Sequence, residues 1–85
     1  MNVNFGQNLY KVTKVKVKNQ DSRMVTINDS FVGQAEIAGQ RLMVGNVNYG
    51  DGLVTSAIEI LTLDKSGNWL VETRNSVYTM ERLND

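Results

Sequence analysis

With 85 residues, 41% of them apolar and 21% charged, and nine basic side chains balancing nine acidic ones, the chain has the make-up of one folded domain around one small core. It contains no cysteine and no histidine, which excludes disulfides, Cys- or His-based zinc sites, and the serine–histidine and cysteine–histidine hydrolase mechanisms. The expectation is a protein that is not an enzyme and uses no metal or cofactor.

Apolar runs never exceed three residues, and the start, "MNVNFGQN", lacks the basic and apolar stretches of a secretion signal. Charge is unevenly placed: residues 1–27 carry five basic groups against Asp21, and residues 28–85 carry eight acids against four basic groups.

Taken in chain order, short β segments alternate with glycine- and asparagine-rich turns, and proline is absent. The first strand is "LYKVTKVKVK", residues 9–18. Tyr10 and Val12 share one parity and Val15 and Val17 the other, so the spacing predicts a bulge or bend near Thr13-Lys14. Lys14, Lys16 and Lys18 then form a period-two row opposite Val15 and Val17. Such a row suits either a nucleic-acid backbone or an edge strand guarded against further pairing. Met24–Ile27 reads as a second strand after a turn at residues 19–22. Residues 28–40, "NDSFVGQAEIAGQ", are open between a capped helical turn and a loop ending in a short strand.

Arg41–Val47 reads as the third strand, with Gly45 marking a bulge or a close backbone approach. "GDGLVTS", residues 50–56, combines a glycine loop with the paired hydroxyls of Thr55 and Ser56 but lacks the lysine of a phosphate-binding P-loop. Residues 57–63 and 68–73 form a hairpin across Asp64-Lys65-Ser66-Gly67, which fits a type I turn followed by a left-handed glycine. "DKSGN" lacks the spaced acids of a calcium loop. The turn Thr73-Arg74-Asn75-Ser76, centred on an asparagine that tolerates positive φ, leads into a last strand through Val77–Met80. The fold expected is all-β: one domain over residues 1–85, a small antiparallel five- or six-stranded SH3-like barrel or curled sheet ending in a three-stranded meander.

Two readings of the 73–76 turn stay open. Thr73, Asn75 and Ser76 either satisfy the turn's own backbone or join the Arg74 fork and a nest of N–H groups around an anion. Among the aromatics, Tyr49 stands in a polar loop and is the candidate base-stacking platform, whereas Trp69 and Tyr78 read as packing residues.

Gly39-Gln40-Arg41, then Thr55-Ser56-Ala57-Ile58, then Thr73-Arg74-Asn75-Ser76-Val77-Tyr78 resemble a pattern in small phage and prophage proteins: Gly-x-Arg, Thr-Ser-x-Ile, and Thr-x-Asn-Ser-x-Tyr. The resemblance covers about residues 39–80, and Ala57 stands where many members carry proline. The group is similar in size and style to phage proteins that counter bacterial defences, including the Thoeris and CBASS sponges that sequester cyclic nucleotide signals. The resemblance implies an oligomeric accessory protein of the host cytoplasm, with no membrane partner. Its small anionic, nucleotide-like ligand would be bound by Arg41, Thr55, Ser56, Arg74, Asn75 and Ser76, and Tyr49, singled out by its polar loop, would stack on a base. Docking on a host protein, and nucleic-acid binding through Lys14, Lys16 and Lys18, are the alternative readings.

Overall fold

The structure, a computed structural model, describes residues 3–19, 26–46 and 51–84. Six antiparallel strands follow one another: β1 (Leu9–Val17), β2 (Ser30–Ala38), β3 (Arg41–Val44), β4 (Leu53–Leu63), β5 (Trp69–Thr73) and β6 (Ser76–Arg82). Each pairs with the next, and β6 returns to β1, closing the barrel. The sheet is therefore an up-and-down meander whose last three strands are those expected from the sequence. No helix long and apolar enough to cross a membrane occurs among the described residues.

The barrel closes because strands bend at extra residues. In the β1–β6 ladder Lys14 pairs with Tyr78 and Lys16 with Val77, leaving Val15 as a bulge one residue beyond the predicted bend. The consequence differs from the expectation. Val15 and Val17 stay exposed, and the lysine row is broken, because Lys14 continues the inward set of Tyr10 and Val12 and is only 2% exposed. Two further bulges lie in β4. One puts Thr55 and Ser56 opposite Leu42; the other is Glu59, between the pairs Ile58–Thr73 and Ile60–Glu72. Each resets the strand's parity, so that Leu53, Thr55 and Ile58 all face inward and Leu61 packs against the same core.

The second strand expected at Met24–Ile27 is not formed where it can be seen. Thr26 and Ile27 belong to no strand, and Met24 and Val25 lie outside the described residues. The segment left open between helical turn and loop is instead the nine-residue strand β2. Its inward positions are Phe31, Gly33, Ala35 and Ile37, an alternation disguised by two small residues. Smallness is required there. A Cβ on Gly33 would sit 2.6 Å from the Gly45 Cα, so the two backbones meet at the close approach that Gly45 was expected to mark. Gly45, at φ 74°, ends β3 at Val44 rather than at the expected Val47, and its N–H donates to the Gln34 carbonyl at 3.1 Å.

The core is apolar at the end of the barrel where β1 begins. Phe5, from the N-terminal segment, packs edge-on against Tyr10 and Trp69, with ring centroids 5.8 and 5.4 Å away. Val12, Leu42, Val44, Val71 and Met80 fill the middle with no exposed surface. The 64–67 turn has the expected form, with Gly67 at φ 86° and the Asp64 carboxylate accepting the N–H groups of Ser66 and Asn68.

Candidate functional site

The opposite end of the barrel holds the 73–76 turn singled out in the sequence. Thr73 ends β5 and Ser76 begins β6, so Arg74 and Asn75 form a two-residue loop between them. Asn75 does not use its tolerance of positive φ; Asn28 is the non-glycine residue that does among the described residues, at φ 78°. Side chains hold the loop instead.

The Asn75 N–H donates to Ser56 Oγ at 3.1 Å, Ser56 Oγ donates to Thr73 Oγ1 at 2.9 Å, and Thr73 Oγ1 donates to the Ser76 carbonyl at 2.9 Å. The Ser76 N–H returns to Thr73 Oγ1 at 3.1 Å. Thr73 and Ser76 have no exposed surface. Thr55, 2% exposed, is committed in the same way. Its Oγ1 accepts the Leu42 N–H that the bulge leaves without a ladder partner, and donates to the Ser56 carbonyl. A chain of hydroxyls thus takes the place of apolar packing at this end, with each donor aligned to the next.

The loop's remaining backbone groups are also occupied. The Arg74 N–H donates to the Ala57 carbonyl at 2.8 Å. The Asn75 carbonyl accepts both the Lys18 and the Asn19 N–H, and the Arg74 carbonyl accepts Asn19 Nδ2 at 2.7 Å. Lys18 Nζ donates to the Thr73 carbonyl and to Glu59 Oε1, both at 2.9 Å. With the N–H groups of residues 74, 75 and 76 all turned inward, the loop offers no backbone nest for an anion.

The residues expected to bind a ligand therefore separate into two groups. Thr55, Ser56 and Ser76 hold the barrel together: two of the three are buried and the hydroxyls of Thr55 and Ser56 are committed. Arg41 and Arg74 are exposed and come together. Arg41 is the register partner of Ala57, whose carbonyl receives the Arg74 N–H, so the two arginines flank Ala57 about two strand spacings, ~10 Å, apart. Among the described residues neither guanidinium has a carboxylate at ion-pair distance. The Asn75 carboxamide beside them likewise makes no hydrogen bond there. Tyr49 and Gly50, the proposed stacking ring and the first glycine of the "GDG" loop, lie outside the described residues.

The lysine row does not form a second site. Lys14 is inside the barrel and Lys18 is engaged by Glu59 and Thr73, which leaves Lys16 as the exposed cation of the three without such a tie among the described residues. What the sequence did not show is the part played by Lys18 and Asn19, which clamp the loop from the end of β1. Their only local signal is a polar run after the strand, and it takes the β1–β6 pairing to bring them to Asn75. No protein family, curated protein or solved structure matches the chain.

Proposed function

We propose that this is a non-enzymatic binding protein for a small anionic, nucleotide-like ligand, held on the barrel wall where Arg41 and Arg74 flank Ala57. One observation carries the reading: arginines 33 positions apart in sequence are brought to neighbouring exposed positions, without carboxylate partners among the described residues. Guanidinium groups so arranged can fork two phosphate oxygens each, and the Asn75 carboxamide adds a directional contact. The hydroxyl chain beneath fixes the loop that carries Arg74, so the fork is presented by rigid backbone.

The two arginines stand on exposed surface, and a ligand there is best enclosed by a second copy that supplies a further wall. The resemblance of residues 39–80 to small phage proteins supports placing this binding in the host cytoplasm, as sequestration of a defence signal. Native mass spectrometry of the protein purified from cells that make such signals tests the proposal. The expected result is a retained small anion that is lost from Arg41→Ala and Arg74→Ala, with both variants folded. A protein that retains nothing and binds neither pyrophosphate nor cyclic dinucleotides overturns it.

A further inference from the structure

Among the described residues, closure of the barrel leaves stretches of β1, β2 and β4 uncovered on one side. β4 is 11 residues long and serves two neighbours in turn: β3 as far as Ala57, and β5 from Ile58 onward. The contact of the Ile58 N–H with the Gln40 carbonyl marks where the short β2–β3 hairpin ends. From Glu59 to Leu63, β4 pairs with β5 on one side. The other side has no backbone partner among the described residues.

Unpaired strand edges are normally guarded by charge, proline or a bulge. The edge of β2 beyond Gln34 carries Glu36, and β1 beyond its bulge carries Lys16. On β4 the bulge and the charge are confined to Glu59, which is already neutralised by Lys18 at 2.9 Å. The next four residues, Ile60-Leu61-Thr62-Leu63, have no charge, no glycine and strong strand preference, and Ile60 and Leu63 are 51% and 55% exposed.

The geometry points to this edge as a self-pairing surface: β4 of one copy adds antiparallel to β4 of a second copy about a two-fold axis. A two-fold axis normal to the sheet keeps outer faces together, so paired residues must share parity. Centred on Leu61, the pairing sets Ile60 against Thr62 of the second copy. The segment suits itself better than it suits a charged partner strand, because no like charges meet in this register and each copy covers the other's exposed Ile60 and Leu63. Two five-stranded walls (β4, β5, β6, β1 and the first half of β2) then run on as one sheet, and a domain of only 85 residues gains buried surface. This inference is independent of the anion site, which lies beside Ala57 in the middle of the same strand.

Light scattering and backbone amide exchange on the intact chain test it. The expected mass is twice the 9.5 kDa of one chain, falling on dilution, with those amides of residues 60–63 that face away from β5 gaining protection as concentration rises. Ile60→Lys with Thr62→Lys should give a folded monomer by circular dichroism. Since the chain has no cysteine, the pair Ile60→Cys and Thr62→Cys should oxidise to a covalent dimer, a readout that holds even if the lysine variant fails to fold. A wild-type monomer at all concentrations overturns the inference. So does a dimer that withstands the lysines while folded, or one that yields no crosslink.

Discussion

Where the barrel begins, Phe5 seals it by packing edge-on between Tyr10 and Trp69; where β5 turns into β6, Ser56, Thr73 and Ser76 seal it by passing hydrogen bonds from one hydroxyl to the next. Both ends are closed to water, yet they depend on different physics. Apolar closure gains from every carbon removed from water and tolerates small shifts. Hydroxyl closure gains little per bond but loses heavily when one member is removed, since the others are then buried without partners. The contrast bears on function. A polar end can place a loop to within hydrogen-bond tolerance, and that loop carries Arg74.

The largest expected effect is at the apolar end. Phe5→Ala should cost about 3–5 kcal/mol in denaturant unfolding, the range for deleting a buried aromatic ring. A loss under about 1 kcal/mol would mean that the N-terminal segment is not part of the core. Thr73→Val keeps shape but removes the central hydroxyl, stranding the Ser76 N–H and Ser56 Oγ, and should cost about 1–3 kcal/mol. Because the two sites sit at opposite ends of the barrel, the double variant should be additive within about 0.5 kcal/mol. A larger coupling would show that the ends are not independent closures. Gly33→Ala tests the wall between them: its Cβ meets the Gly45 backbone, and overpacking of this kind costs about 1–3 kcal/mol. Smallest of all, Arg41→Ala and Arg74→Ala should each change stability by no more than about 0.5 kcal/mol while weakening anion binding.

Legibility in the sequence follows the same division. The meander from β4 to β6 was readable because its strands alternate and its turns have diagnostic residues, Asp64 and Gly67 above all. The β1 bulge was readable from a parity conflict, although the residue that went inward was Lys14 rather than a valine. β2 was hidden because its inward positions include the small residues Gly33 and Ala35, and Gly33 is small for the sake of the neighbouring Gly45 backbone. In the candidate site, the sequence named segments that the fold brings next to one another, but not which of their side chains face out. Thr55 and Ser76 have ligand-binding chemistry, and burial alone takes them out of that role. For Thr55 the bulge in β4 decides this, and bulges set by pairing across strands leave little trace in a single strand's composition.

The proposed division of labour, with hydroxyls holding the 73–76 loop and Arg41 and Arg74 meeting an anion, is tested most directly by following backbone amide resonances during titration with pyrophosphate. The account predicts saturable shifts gathered at Gln40, Arg41, Ala57, Arg74 and Asn75, absent from the Arg41→Ala/Arg74→Ala double variant, with the core amides unmoved. Shifts scattered over the surface, or gathered at the Phe5 end, would contradict it.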